Sequence, residues 1–316
     1  MEYSKLGSSQ IPVSRICLGS MTWGLQNTQQ QADQQIEYAL SQGINFIDTA
    51  EMYAVPPSPE TYGKTEEIIG DWLSRNPQRR GELIIATKIA GAGLPWVRGG
   101  GPITGEAVIA AVDASLKRLN TDYIDLYQCH RFDEETSLDE TMEAMADIVK
   151  LGKVRYIGFS EWSTDQIKAA DDLSDDAKFV SSQPRYSMLY RKPERKIFPL
   201  CDGLHIGQIV WSPLAQGVLT GKYLPDRNPP AGSRADRRKI GRFSQPHVLR
   251  AVQNLQPIAD AHSVSISQLA LAWVLANNSV SSAIIGATRP EQIAENVGAV
   301  DVELTTETRV QIDKIL

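Results

Sequence analysis

At 316 residues, with 42% hydrophobic and 22% charged side chains, the chain has a globular composition and the length for one large domain or two ordinary ones. A net charge of -6 removes the general electrostatic reason to bind nucleic acid or an anionic membrane. Three scattered cysteines, Cys17, Cys129 and Cys201, exclude a disulfide framework or a cysteine metal cluster and suit a reducing cytoplasm.

Residues 3–7 and 11–16 alternate around Ser8-Ser9-Gln10, the pattern of a short hairpin. The start has no basic region followed by an apolar run, so no signal peptide is expected. No apolar stretch approaches the roughly 20 residues needed to cross a bilayer. Apolar strands and amphipathic helices then alternate. Strands are expected over 15–19, 46–49, 83–87, 123–128, 154–160, 179–183, 208–212 and 282–286. Helices are expected over 30–41, 65–73, 106–119 and 138–151, with Gly43 and Gly152 as stops. Ser163 is placed to cap the helix after the fifth strand, and Pro290 opens the one after the eighth. Eight strand–helix units with no composition break predict an α/β protein, a single (β/α)8 TIM barrel over residues 1–316. A doubly wound sheet is the rival. It needs a glycine-rich first turn, and neither G-x-G-x-x-G nor a phosphate-loop motif is present.

Three insertions break the rhythm. Residues 54–62 contain three prolines, 91–105 are glycine-rich, and 223–243 carry five arginines. Each follows a strand and so falls on the carboxyl rim, where loops shape ligand sites.

Four ionisable groups sit at successive strand ends on that rim: Asp48 and Tyr53 after the second strand, Lys88 after the third, His130 after the fourth. Singly, each has a structural explanation, as a cap, a half-buried ring, a solvated strand end or a core imidazole. Jointly they suit proton donation to a carbonyl. A free tyrosine is a poor acid at neutral pH, a nearby ammonium is expected to lower its pKa, and a carboxylate holds that ammonium charged. A histidine can orient the carbonyl oxygen. Reduction also needs a hydride, which no side chain supplies, so a cofactor is implied. The later strand ends offer a cradle. Trp211 can stack on a flat ring, Ser160 and Gln183 can hydrogen-bond an amide, and Lys222, Arg234 and Arg289 suit phosphate. Glu295 and Asn296 are placed to read an adenine edge.

Several stretches resemble the aldo-keto reductase superfamily over nearly the whole chain. They are residues 48–53 (Asp-Thr-Ala-Glu-Met-Tyr), 86–88, 122–130, 152–160, 211–223 and 285–288, together with Gln292, Glu295 and Asn296. The nearest branch is that of bacterial reductases related to potassium-channel beta subunits and Tas-like proteins. The resemblance implies a TIM barrel closed at its base by the hairpin, and NADPH bound without a Rossmann motif. It implies a catalytic tetrad of Asp48, Tyr53, Lys88 and His130, with Tyr53 as general acid and the pro-R hydride passing from nicotinamide C4. It places Trp211 on the nicotinamide, and Ser160 and Gln183 on its carboxamide. Ser212, Leu214, Gln216 and Lys222 would line the pyrophosphate, under the loop bearing Arg234. Thr288, Arg289, Gln292, Glu295 and Asn296 would hold the adenosine 2'-phosphate end, and Ser20, Met21, Pro213, Gly217 and Gly286 complete the implied cofactor contacts. No metal is implied, and the partner is a small aldehyde or ketone, with monomer or homo-oligomer open.

Two departures stand out. Many members have asparagine where this chain has Glu161, and a carboxylate there cannot donate to the cofactor amide. The chain also stops soon after a helix over 305–316, so the rim insertions are expected to shape specificity in place of a long tail. A cofactor-holding redox sensor with slow turnover is the functional rival; a non-redox barrel would need neither Trp211 nor the basic loop.

Overall fold

A computed structural model describes residues 1–173 and 177–316. After an antiparallel hairpin of β1 (Tyr3–Lys5) and β2 (Pro12–Ser14), eight parallel strands close into a barrel. They are β3 (Ile16–Gly19), β4 (Phe46–Asp48), β5 (Ile84–Ile89), β6 (Ile124–Cys129), β7 (Val154–Ser160), β8 (Phe179–Gln183), β9 (Gly207–Trp211) and β10 (Val280–Gly286), paired in chain order with β10 against β3. The expected barrel and hairpin are therefore the observed ones. Differences are confined to element ends. β5 and β6 run two and one residues further than their apolar runs, so Lys88 lies within its strand, while Ser212 falls outside β9 in a turn with φ +59°.

Helices follow the strands: α1 (Gln29–Ser41), α2 (Lys64–Arg75), α3 (Gly105–Leu119), α4 (Leu138–Lys150), α5 (Thr164–Leu173) and α6 (Ile197–Gly203). Behind β9 come α7 (Arg234–Arg237), α8 (Pro246–Gln253), α9 (Gln256–Ala261) and α10 (Ile266–Leu275), and behind β10 α11 (Pro290–Val297) and α12 (Thr306–Ile315). Their starts are chemically marked. Thr28, Thr104, Ser137, Ser163, Ser265 and Thr305 each accept a backbone N–H of the first turn, satisfying a donor the helix leaves open. No single helix among the described residues is long and apolar enough to cross a bilayer; α10, the most apolar, is buried along its length.

Strand side chains alternate between two environments, as a period of two requires. Ile47, Ile85 and Tyr127 join the large apolar layer beneath the helices. Phe46, Ala86 and Leu126 instead join a smaller cluster with Cys17, Ile84, Val180 and Ile209, and with Leu6, Ile11 and Val13 of the hairpin. The hairpin thus closes the barrel's amino-terminal end. Gly7 (φ +55°) makes the fit possible, since a Cβ there would lie 2.3 Å from the Val180 carbonyl. Two residues further along the same strands, the alternation gives Asp48, Lys88 and Gln128, all buried. The barrel interior is apolar at its base and polar at its carboxyl rim.

Candidate active site

Strand register brings the rim residues together. Asp48 lies opposite Ala86, Lys88 opposite Gln128, and Ser160 opposite Gln183. Lys88, fully buried, donates to Asp48 Oδ2 at 2.7 Å and to the Thr49 carbonyl at 2.8 Å. Asp48 Oδ1 accepts from the Gln183 amide at 2.8 Å. Lys88 Nζ also lies 5.0 Å from the centre of the Tyr53 ring. The Tyr53 and His130 rings meet edge to face, with centroids 5.7 Å apart. Asp48, Lys88, Tyr53 and His130 form one connected group.

The electrostatics of that group differ from expectation in one respect. The Lys88 ammonium does pull the Tyr53 phenol down, but burial pushes it up by more, so its pKa is raised above the ordinary value. Tyr53 therefore keeps its proton at neutral pH. Burial works against the Lys88 charge too, yet Asp48 and Tyr53 outweigh it and hold the ammonium above its ordinary value. Burial, with Lys88 and Arg131, holds His130 well below the usual imidazole range, so it is neutral. Its Nδ1 is buried without a partner.

The cofactor residues expected from the sequence line the adjoining rim. After β9 the backbone winds through positive φ at Ser212, Ala215, Gln216 and Gly217, a tight turn closed by the Ala215 N–H on the Ser212 carbonyl and the Gln216 N–H on the Ser212 hydroxyl. Pro213 is buried within this turn, and Leu214 accepts from the Gly217 N–H through its carbonyl. The exposed Lys222 lies over it, with Nζ 3.4 Å from where a Cβ on Gly217 would be. Arg234 begins α7 and reaches the Met21 sulfur at 3.7 Å; burial, then Arg238, pulls it down to about 10, still cationic at neutral pH. Across β10, past the exposed Gly286, Thr288 donates to Gln292 and Arg289 is exposed. Glu295 accepts from Ser265 and Ser267 at the start of α10, and Asn296 is buried beside it. Ser20 is fixed by two bonds to the Asp48 carbonyl.

These residues fit a nicotinamide dinucleotide phosphate: a flat indole at Trp211, a tight turn with the exposed Lys222 over it, and further cations at Arg234 and Arg289. Ser160 Oγ donates to the Gln183 carbonyl and the Gln183 amide to Asp48, so this pair is anchored to the group around Lys88. Glu161, in a left-handed conformation (φ +61°), does not face that pair. Its carboxylate accepts from the Trp211 indole at 2.9 Å and the Arg185 N–H at 2.6 Å, pinning the ring edge-on. Arg185 stacks on the Trp211 face, 5.4 Å away.

Sequence reading assigns no role to Glu51, yet it ties the rim insertions together. Fully buried, it accepts from the Ala90 N–H at 2.6 Å, from Arg98 Nη1 at both carboxylate oxygens (2.5 and 2.6 Å), and from the Tyr62 hydroxyl at 3.1 Å. Arg98 belongs to the 91–105 insertion and Tyr62 to the 54–62 insertion, and Val55 of the latter bonds the Met21 carbonyl. The only signal in the sequence is an acidic residue two positions before Tyr53 inside an otherwise buried stretch.

Residues 15–316 match the Aldo/keto reductase family. Over its whole length the chain is 39% identical to the probable voltage-gated potassium channel subunit beta of Arabidopsis thaliana, covering 95% of that protein. It is 34% identical to Protein tas of Escherichia coli (strain K12), again over its whole length and 97% of the relative. It is 35% identical to the uncharacterized oxidoreductase YrpG of Bacillus subtilis (strain 168), over 97% of this chain and 93% of that one. The potassium-channel and Tas branch expected from the motifs is the branch these relatives represent.

Proposed function

The chain belongs to the aldo/keto reductase family, a family of oxidoreductases, and we propose that it is an NADPH-dependent reductase of aldehydes or ketones. The observation that carries this reading is the placement of the Tyr53 phenol beside the buried Lys88–Asp48 pair, with the His130 ring edge-on to it. When bound, NADPH supplies the hydride that no side chain carries. Trp211, Ser160 and Gln183 would orient its nicotinamide end. The turn at Ser212–Gly217, Lys222 and Arg234 would hold the pyrophosphate, and Thr288, Arg289, Gln292, Glu295 and Asn296 the 2'-phosphate end.

As negative charge develops on the carbonyl oxygen, Tyr53 delivers its proton there. Lys88 compensates the phenolate left behind, and Asp48 keeps Lys88 charged while it does so. His130 orients the oxygen. General-acid catalysis of this kind contributes about 10²- to 10⁴-fold. Tyr53→Phe should therefore cut aldehyde-dependent NADPH oxidation by about a hundredfold or more, with NADPH still quenching tryptophan fluorescence. Undiminished turnover in that variant would refute the assignment of Tyr53 as the acid.

The 39%-identical relative named a potassium-channel subunit favours a second reading, a chain that retains nucleotide and turns over slowly. Nucleotide release measured beside steady-state turnover separates the two: tight retention with negligible turnover favours the sensor.

A further inference from the structure

Arg131, directly after His130 at the end of β6, is not used by the arrangement above. Its side chain is exposed on the rim, and its stem packs near the start of the 91–105 insertion, 3.6 Å from where a Cβ on Gly91 would be. Nη1 donates to the His130 carbonyl at 2.6 Å and reaches Ser160 Oγ at 3.5 Å. These contacts hold the guanidinium over the site, and its charge is felt by both Tyr53 and His130. Neighbouring carboxylates are turned elsewhere. Asp133 accepts from Ile103, Glu135 and Thr136, and Glu161 from Trp211 and Arg185. Among the described residues no carboxylate pairs with Arg131, and its Nε and Nη2 make no hydrogen bond. That unclaimed edge is the one through which a guanidinium binds two oxygens of an oxyanion in parallel.

We propose that Arg131 is a substrate-recognition residue that selects carbonyl compounds bearing an anionic group, a carboxylate or a phosphate, near the carbonyl. The proposal rests on the reading of Tyr53 and His130 as the groups that receive the carbonyl oxygen. With that oxygen at Tyr53, a substituent directed toward β6 and β7 meets the free guanidinium edge. A neutral substituent gains nothing there, whereas an oxyanion gains charge-assisted hydrogen bonds.

The test compares kcat/KM at saturating NADPH for 4-carboxybenzaldehyde against methyl 4-formylbenzoate, and for glyceraldehyde 3-phosphate against glyceraldehyde. Each pair is measured in the wild type, Arg131→Gln and Arg131→Lys. In at least one pair the wild type should prefer the anion by about tenfold. Arg131→Gln should collapse that ratio toward one, chiefly through KM for the anion, and Arg131→Lys should keep part of it. Which pair responds distinguishes carboxylate from phosphate. Any influence of Arg131 on the Tyr53 proton acts on both members of a pair, so the ratio isolates recognition. Wild-type ratios near one in both pairs, or a preference that survives Arg131→Gln, overturn the proposal. If no aldehyde is reduced, the assignment of Tyr53 fails first, and calorimetric binding of the two anionic aldehydes in the presence of NADPH decides about Arg131. Binding lost in Arg131→Gln supports it; equal or absent binding overturns it.

Discussion

Tyr53 is governed by two opposing effects of the same burial. Removing the phenol from water disfavours its anion, while the Lys88 ammonium, stripped of water in the same place, favours it. Burial prevails, so Tyr53 rests as a loaded acid, and Lys88 acts when the proton has left. The pair itself is secured by Asp48, because an unpaired buried ammonium would lose its charge. The pH dependence follows. Tyr53 stays protonated up to its ordinary value near 10 and beyond, so the alkaline fall of reductase activity should lie above pH 10. His130 stays neutral down through its ordinary 6.5, so no acid limb should appear there. A kcat/KM profile flat from about pH 6.5 to 10 is expected; a limb with a midpoint inside that window would contradict the burial of these groups. Stability has the same signs. Tyr53, raised on folding, stabilises below pH 10 and ceases to do so as pH rises past it; His130, depressed on folding, costs stability as pH falls below 6.5.

Among the elements, the rim insertions behave as one unit because a single carboxylate holds them. Glu51 offers acceptors to a backbone N–H, a guanidinium and a phenol while fully buried, where removing one ionic partner costs more than the pair contributes. Glu51→Gln leaves Arg98 largely uncompensated and should lower stability by about 2–4 kcal/mol, read as a lower Tm. Backbone hydrogen exchange should quicken across both 54–62 and 91–105, and KM for the carbonyl substrate should rise. Exchange quickening in only one insertion would show that they are not joined through Glu51. The contrast with the barrel explains what a sequence makes legible. Buried parallel strands read as apolar runs and helices as capped amphipathic ones, so β7 and β8 can be bounded to the residue from composition alone. Asp48 and Lys88 are legible because strand alternation dictates which way they face. Arg98 is not. It reaches 47 positions back to its partner across a glycine-rich loop with no periodicity, and its own backbone sits at φ +48°. Nor can the sequence weigh burial against charge at Tyr53, or turn Glu161 toward Trp211, because both depend on surroundings that exist only once the rim has assembled.

At the scale of the whole molecule, the barrel divides its labour between its two ends. Every group implicated in chemistry lies at the carboxyl rim, where an acidic chain nevertheless gathers Lys88, Arg131, Lys222 and Arg234. The opposite end is apolar and sealed by the hairpin, whose Leu6 is fully buried against the barrel cluster that includes Phe46 and Leu126. Asp48 stands two residues beyond Phe46 on the same face of β4, so the base supports the rim through the strand itself. If the strands transmit only position, loosening the base should affect folding without altering the chemistry. Leu6→Ala opens a cavity at a site that the surrounding strands cannot close, and should cost about 2–5 kcal/mol. The expected result is a lower Tm and urea midpoint, while kcat/KM, the pH profile and the NADPH-induced fluorescence change measured well below the transition stay at wild-type values. A shifted pH profile in Leu6→Ala would mean that the base plug sets the alignment of Asp48 and Lys88, and that the two ends of the barrel are coupled.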